Sequence, residues 1–149
     1  MDITIKHISA SDCLDLRSRI LRPGQNIELC HYAEDNLSSS FHLGALDSQS
    51  GKILANGTFM KNAHTHFSAA TNPYRLRGMA TDPDYRGLRL GSRIIASAEM
   101  LLRSLNCDLL WFNARESAFT FYEKNDYLYS GEVFDIAGIG PHKVMYKWL

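Results

Sequence analysis

The stretch from Arg75 to Ile95 constrains the fold of this chain more than any other. Residues 75–81 can run extended. Asp82-Pro83-Asp84 ends that run, because a proline cannot donate to a strand ladder and keeps the residue before it out of helical conformation. From there apolar residues recur at helical spacing: Leu90, Ile94, Ile95, Ala98, Leu101, Leu102 and Leu105. The pattern predicts a strand, a tight turn at residues 86–91 and a long helix.

The predicted turn has the features of a phosphate-binding site. A helix start leaves its first backbone N–H groups without partners and carries partial positive charge. Gly87 and Gly91 let the backbone approach a ligand closely, and three arginines add full charges: Arg86, Arg89 and Arg93. Because short glycine patterns match by chance, the turn alone fits a pyrophosphate site and an ordinary loop with a solvated basic face about equally well.

Two motifs together resemble the GNAT superfamily of N-acetyltransferases. Arg86-x-x-Arg89-x-Gly91 is similar to that family's acyl-CoA signature, Gln/Arg-x-x-Gly-x-Gly/Ala. Residues 113–127, NARESAFTFYEKNDY, look like its second landmark: an Asn, then an Ala, then Phe-Tyr-Glu-Lys followed by an aromatic. Two landmarks in this order are far more specific than either alone. The resemblance covers residues 74–149, and the first half of the chain matches only in its order of elements.

The signature departs from the family pattern at its fourth position, where Arg89 replaces the usual glycine. An arginine is strained there if the backbone needs a positive φ, and is tolerated if the residue already lies in the first helical turn. The departure concerns the tightness of cofactor binding and not the fold.

The residue patterns predict a mixture of strands and helices around one sheet. The predicted strands are 3–8, 41–46, 53–60, 75–81, 108–112, 127–134 and 143–148, with 64–68 as an extension of the third. The predicted helices are 12–21, capped by Ser9 or Ser11, then 27–33, 90–105 and 117–124. The resemblance implies one α/β (α+β) domain over residues 1–149 with the GNAT-like acyl-CoA N-acyltransferase fold. That fold is a mixed, mostly antiparallel central sheet, flanked by helices and splayed at the signature strand.

Composition disfavours several classes of protein. The 16 Lys and Arg residues balance the 16 Asp and Glu residues, which disfavours a general nucleic-acid-binding protein. No apolar run is long enough to span a bilayer, and residues 1–6 lack the apolar core of a signal peptide. The three cysteines, Cys13, Cys30 and Cys107, have no CxxC spacing, which argues against a disulfide framework or zinc site and predicts a reducing, cytoplasmic setting.

The resemblance implies how acetyl-CoA would be bound. The turn would hold its pyrophosphate through Arg86, Gly87, Leu88, Arg89, Leu90, Gly91 and Ser92. The strand edge at Met79, Ala80 and Thr81 would pair with the pantetheine arm. A backbone N–H of Ala80 or Met79 would also stabilise the developing oxyanion, a contribution of about 3–4 kcal/mol in acyl transfer.

The resemblance also makes Tyr122 the general acid for the departing thiolate. A phenol with a pKa of about 10 is close enough to a thiol at about 8.5 to donate without ionising beforehand. From spacing alone, packing beside Phe119 and Phe121 is the commoner role of such a side chain. Asn113 would hydrogen-bond the pantetheine or, as a residue at a strand end, cap the following helix.

The sequence names no clear general base for the amine. The acidic and imidazole groups expected around the acceptor are Glu28, Glu34, Asp35, Glu132 and His142. His142 is the first to test, although a histidine at a strand end is more often structural or merely exposed, and a water chain can replace a side-chain base. Residues 22–35 and 135–142 are expected to line the acceptor pocket.

Two other motifs that contain histidine are weaker indications of a functional site. His64-x-His66 would place two imidazoles on one strand face, but no third ligand is evident, so we expect no metal site. Cys30-His31 has the residue types of a thiol–imidazole pair, but neighbours on a chain need not meet in space and buried packing is the commoner role of such a cysteine.

The resulting hypothesis is an acetyl-CoA-dependent N-acetyltransferase. It would transfer an acetyl group to a primary amine of a small molecule or peptide by direct attack in a ternary complex, since no activated nucleophile is visible. The alternative is a non-catalytic acyl-CoA-binding or regulatory module on the same fold, motivated by Arg89 and the missing base. A dinucleotide enzyme is disfavoured because the turn lacks G-x-G-x-x-G. No nucleic-acid or membrane partner is expected, and the resemblance allows a homodimer.

Overall fold

The computed structural model describes residues 1–149 and contains a seven-stranded sheet. The strands are β1 Ile3–Ile8, β2 Phe41–Asp47, β3 Ile53–Lys61, β4 Pro73–Thr81, β5 Leu109–Arg115, β6 Leu128–Ile136 and β7 Gly140–Trp148. The α-helices are α1 Leu14–Leu16, α2 Leu90–Ser104 and α3 Phe119–Lys124. The sheet order is β1-β2-β3-β4-β5-β7-β6; β4 and β5 are parallel, while β1–β2, β2–β3, β5–β7 and β6–β7 are antiparallel. The predicted mixed α/β fold is confirmed.

The chain divides into two compact units, of which the first comprises residues 1–60 and 76–102. Here β1 pairs with β2 from Ile3 opposite Asp47 to Ile8 opposite His42. The predicted hairpin of β2 and β3 is present, with Asp47 N donating to Lys52 O across its turn. Helix α2 buries Leu90, Ile94, Ile95, Ala98 and Leu102 on one face. Burial of each large aliphatic side chain contributes about 1.5–3 kcal/mol, which holds this face of α2 in the core.

A continuous helical segment covers residues 11–21, close to the prediction. It begins as 3-10 helix Ser11–Cys13, continues as α1 and ends as π-helix Arg17–Leu21. Ser9 caps it: the Ser9 hydroxyl accepts from Asp12 N at 3.1 Å, and the Asp12 carboxylate accepts from Ser9 N at 3.0 Å. The predicted helix over 27–33 is shorter than expected, a 3-10 segment Ile27–Cys30, because His31 is already extended.

The second unit comprises residues 61–75 and 103–149. Within it, Pro73–Arg75 of β4 pairs with Leu109–Trp111 of β5, and β5 pairs with β7 along its whole length. An irregularity between Ser130 and Phe134 interrupts the β6–β7 ladder. One hydrophobic cluster of this unit consists of Phe67, Leu109, Trp111 and Val144, with Ala70, Phe134 and Tyr146 packed against them.

Three of the differences from the predicted bounds have a local cause. Residues 64–68 do not extend a strand: Thr65–Phe67 is a 3-10 turn, because the His64 imidazole accepts from His66 N at 3.0 Å and turns the chain. Strand β5 runs on to Arg115, held by its pairing with His142. Strand β7 begins at Gly140, since the turn from Ile136 O to Ile139 N closes the hairpin earlier than expected.

Candidate active site

Strand β4 carries a left-handed residue in its middle. Gly78 has a φ of +68°, and a Cβ there would lie 2.9 Å from Arg17 Nε and 3.2 Å from the Tyr32 ring. Glycine therefore serves both the backbone conformation and the close approach. The predicted oxyanion and pantetheine residues follow directly: Ala80 is buried, and Met79 and Thr81 are half-buried. A left-handed residue inside a strand interrupts the regular alternation of peptide orientation along it.

The turn before α2 is exposed and contains two left-handed residues. Gly87 has a φ of +86° and Arg89 a φ of +59°. Residues 86–89 are exposed, Leu90 and Gly91 are buried, and Ser92 is half-buried. The helix begins at Leu90, and Arg93 N donates to Arg89 O at 3.0 Å. Arg89 is therefore outside the first helical turn, and its backbone adopts a left-handed conformation that glycine takes without strain and arginine does not.

The exposed arginines of the turn differ in what they do. The Arg86 and Arg89 side chains are exposed, whereas Arg93 donates from its guanidinium to Ile3 O at 3.0 Å. Arg93 thus ties α2 to the start of β1, whereas the guanidinium groups of Arg86 and Arg89 remain available to a ligand at the turn.

We expect Arg89→Gly to raise the free energy of unfolding by up to about 1 kcal/mol. A left-handed conformation costs a residue with a side chain roughly 1–2 kcal/mol, and the greater freedom of glycine in the unfolded chain offsets part of the gain. Leu88→Gly is the control, since Leu88 is exposed in the same turn without a positive φ and should lose stability. Urea unfolding measures both, and an equal loss in the two variants would contradict the assignment.

Asp82 anchors the end of β4. Its carboxylate accepts from Asp84 N at 3.0 Å and lies 3.4 Å from the Arg19 guanidinium and 3.8 Å from the Lys52 ammonium. The hydrogen bond from Asp84 N and the two cations hold the pKa of Asp82 below its usual value. Asp82 N also donates to Leu54 O at 2.8 Å. The predicted strand stop is confirmed, with Asp82 as the cap of the segment Pro83–Tyr85.

A buried ion pair lies beside Gly78. The Arg17 guanidinium, 1% exposed, donates to both carboxylate oxygens of Asp35 at 2.8 and 2.9 Å, to Cys30 O at 2.9 Å and to Thr58 Oγ1 at 2.7 Å. Burial alone would raise the pKa of Asp35, but hydrogen bonds from Arg17 and from Tyr32 N lower it below its usual value. Asp35 is therefore a structural counter-ion of Arg17 and is not a candidate for the general base.

Tyr122 lies on α3 in the second unit, in an aromatic cluster. Its ring is 4.1 Å from the Phe112 ring centroid and 5.0 Å from that of Phe121, and the residue is 7% exposed. Burial raises the pKa of Tyr122 well above the usual phenol value, and the charge of Arg115 opposes this shift only in part. The phenol therefore stays protonated at neutral pH, as a proton donor must, but its raised pKa lies further from that of a thiol near 8.5 than an ordinary phenol's does.

Asn113 lies within β5, opposite Val144 of β7. Its side-chain oxygen is buried and has no hydrogen-bond partner. The alternative role of Asn113, capping the next helix, is excluded, because the following 3-10 segment Glu116–Ala118 has Arg115 at its cap and no side-chain cap bond. A buried acceptor without a partner costs about 1–3 kcal/mol, and a ligand N–H would recover that cost.

His142 lies on β7 and is 3% exposed. Its Nδ1 donates to Gly140 O at 2.7 Å, and its ring stacks on Phe134 with centroids 5.9 Å apart. In the neutral ring this leaves Nε2 as the basic nitrogen. Among the other candidate bases, Glu28 and Glu132 are exposed and one Glu34 carboxylate oxygen is buried without a hydrogen-bond partner.

The remaining histidine and cysteine motifs do not form a catalytic pair. The His64 and His66 ring centroids are 4.4 Å apart across the 3-10 turn. Cys30 is buried while His31 is exposed near Glu28, and all three cysteines are free. Burial raises the pKa of the Cys13 thiol to about 11, so it is not a thiolate. No group of three or more His, Cys, Asp or Glu side chains is arranged to hold a metal ion, and no helix has the length and apolar character to cross a membrane.

Comparison with known proteins gives consistent matches. Residues 38–127 match the family model of the acetyltransferase (GNAT) domain. The uncharacterized N-acetyltransferase YitI of Bacillus subtilis is 42% identical over 147 residues, covering 99% of this chain and 97% of that protein. A putative N-acetyltransferase from Lactobacillus plantarum superposes with a TM-score of 0.79 at 17% identity, covering 100% of this chain and 99% of the other. An aminoglycoside 6'-N-acetyltransferase complexed with coenzyme A superposes with a TM-score of 0.73 at 14% identity, covering 97% and 96%.

Proposed function

This chain belongs to the GNAT family of acetyltransferases, and on that premise we propose that it transfers an acetyl group from acetyl-CoA to a primary amine by direct attack in a ternary complex. The observation that carries the proposal is the exposed turn with two left-handed residues that leads directly into α2. Backbone N–H groups at the start of a long helix, with the helix dipole behind them, favour a pyrophosphate. Arg86 and Arg89 add exposed positive charge at the same turn.

Residues of β4 are proposed to bind the pantetheine arm and the developing oxyanion. We assign the backbone N–H groups of Met79, Ala80 and Thr81 to the amides of the pantetheine arm, and that of Ala80 or Met79 to the carbonyl oxygen as it gains negative charge. The left-handed Gly78 supports this assignment, since it interrupts the regular alternation of peptide orientation along the strand.

Acetyl-CoA supplies an activated acyl group, a thioester whose carbonyl carbon accepts the amine nitrogen. The C–N bond forms and the C–S bond breaks. Tyr122 gives its phenolic proton to the leaving sulfur, and the amine nitrogen loses a proton to a base. We propose His142 Nε2 as that base, because the Nδ1–H bond to Gly140 O fixes the tautomer in which Nε2 is free to accept.

The buried, unpartnered side-chain oxygen of Asn113 supports a pantetheine-binding role. We expect Asn113→Ala to raise the KM for acetyl-CoA about five- to tenfold, the loss of one net hydrogen bond, while the free energy of unfolding stays level or rises. Asn36→Ala, which removes an exposed amide, should leave both unchanged. Steady-state kinetics and urea unfolding measure the pair; an unchanged KM in Asn113→Ala would remove Asn113 from the site.

Release of free thiol from acetyl-CoA across a panel of primary amines tests the function as a whole. The proposal predicts amine-dependent release, with the acetylated amine as second product. A non-catalytic acyl-CoA-binding module is the second candidate, favoured by Arg89 in a strained left-handed conformation. Calorimetric binding of CoA without turnover on any amine would select that module, and absence of CoA binding would remove both.

A further inference from the structure

Arg77 of β4 is a half-buried cation with no anionic partner in the chain. Its guanidinium lies 3.9 Å from the centroid of the Tyr32 ring. None of the ion pairs of the protein includes Arg77. A cation that gives up part of its hydration without a counter-ion costs free energy, which an incoming anion would offset.

The neighbouring Arg17 shows what a compensated cation looks like in the same place. Its guanidinium also contacts the Tyr32 ring, at 4.0 Å, but Asp35 neutralises it through two hydrogen bonds. The group formed by Arg17, Asp35 and Arg77 therefore carries one uncompensated positive charge, and that charge is on Arg77.

The backbone of Tyr32, whose ring Arg77 contacts, is held in place by two hydrogen bonds. Tyr32 N donates to Asp35 Oδ2 at 3.0 Å, and Asp35 N donates to Tyr32 O at 3.1 Å. Contact with this ring restricts the positions that the guanidinium can adopt, and no ion pair of the protein engages its N–H groups. Such a guanidinium suits two parallel hydrogen bonds to a carboxylate or phosphate. Preorganisation of this kind reduces the entropy lost when an anion binds.

Arg77 also stands next to the proposed reaction site in the sequence of β4. Gly78 separates it from Met79 and Ala80, and Tyr32 lies within residues 22–35, the segment expected to line the acceptor pocket. We infer that the acceptor amine carries a carboxylate or phosphate group and that Arg77 binds it. This inference rests on the proposed acetyltransferase function and narrows its substrate class to anionic amines.

Matched acceptors test the inference. The kcat/KM of thiol release is compared for L-amino acids against their C-terminal amides, and for phosphoethanolamine against ethanolamine. The proteins compared are wild type, Arg77→Gln, Arg77→Lys and the control Lys6→Gln, which removes an exposed charge on β1. We expect at least a tenfold preference for the anionic member in wild type and in Lys6→Gln. Arg77→Gln should lower the kcat/KM of the anionic acceptors to that of their neutral counterparts. Arg77→Lys should keep part of the preference, since Lys retains the charge but not the planar fork.

Three results would overturn the inference: equal rates on charged and neutral acceptors, a preference that survives in Arg77→Gln, or a raised KM for acetyl-CoA in that variant, which would assign Arg77 to the cofactor. If no amine is acetylated, the proposed function fails and calorimetry decides the inference separately. With CoA at saturation, binding of inorganic phosphate or acetate that is lost in Arg77→Gln supports it, and absence of binding to wild type overturns it. Thermal unfolding of each variant verifies that it is folded.

Discussion

Tyr122→Phe is expected to lower kcat by about 10²–10⁴-fold, the usual range for the loss of a general acid. The substitution removes one oxygen and leaves the ring in its contacts with Phe112 and Phe121, so the free energy of unfolding should change little. Because the phenol donates in the step that breaks the C–S bond, the KM for acetyl-CoA should stay within a few-fold of wild type. The effect is therefore expected in kcat and not in binding.

Steady-state kinetics of thiol release, together with urea unfolding, measure this prediction. Tyr146→Phe provides the matched control, since Tyr146 loses the same oxygen from a different aromatic group around Phe67 and should keep full kcat. The raised pKa of Tyr122 adds a pH signature: kcat should not fall through the ordinary phenol value near 10, because the buried phenol is still protonated there. A full rate in Tyr122→Phe would take the residue out of the mechanism.

The second large effect is on stability, in Asp35→Ala. Removing the carboxylate leaves the Arg17 guanidinium, 1% exposed, without a counter-ion, and breaking one partner of a buried pair costs about 3–5 kcal/mol. That is a large part of the roughly 5–15 kcal/mol that holds an ordinary domain folded. Urea unfolding should therefore show a much lower midpoint, and Tyr32, which Asp35 holds through its backbone N–H, should lose its fixed position.

Two controls separate the buried pair from a surface effect. Asp15→Ala breaks the exposed pair with Arg19, whose partners are 71% and 45% exposed, and should cost at most about 1 kcal/mol. The double variant Arg17→Met with Asp35→Leu should recover much of the loss, since an apolar pair needs no charge compensation. Because the pKa of Asp35 is lower in the folded than in the unfolded protein, the carboxylate contributes fully to stability at pH values above the unfolded pKa near 3.9. The free energy of unfolding should therefore fall as the pH drops below that value. A loss in Asp35→Ala no larger than in Asp15→Ala would contradict this account.

Local chemistry made much of the fold predictable. Pro83, the glycines of the turn and the apolar spacing after Leu90 are short-range signals, and the structure has the strand, the turn and the helix there. The Ser9–Asp12 cap is equally local. The predicted strand extension over residues 64–68 was wrong because the His64 side chain turns the backbone there. Alternation of residue types does not encode that contact. The predicted end of β5 was wrong because pairing with β7 continues that strand past its last apolar residue.

For the candidate site, the sequence supplied residue-level hypotheses only where a family motif is present. Tyr122, Asn113 and the turn at 86–92 came from the resemblance, whereas the pair of Arg17 with Asp35 joins residues 18 positions apart that no periodicity connects. The left-handed Gly78 had a usable signal, an isolated glycine inside a strand pattern, which favours a bulge or a close backbone approach. The stacking of Arg77 on Tyr32 depends on the Arg17–Asp35 pair and on Gly78, and could not be predicted from the sequence.

Calorimetric titration with CoA and with pantetheine tests the central claim, that the turn into α2 binds the pyrophosphate of the acyl donor. Pantetheine keeps the thiol-bearing arm and lacks the diphosphate, so only contacts at residues 86–92 and with the nucleotide separate the two ligands. The account predicts saturable CoA binding that exceeds pantetheine binding by at least tenfold and weakens as salt is added. Equal affinity for the two ligands, or no heat with CoA, would contradict it.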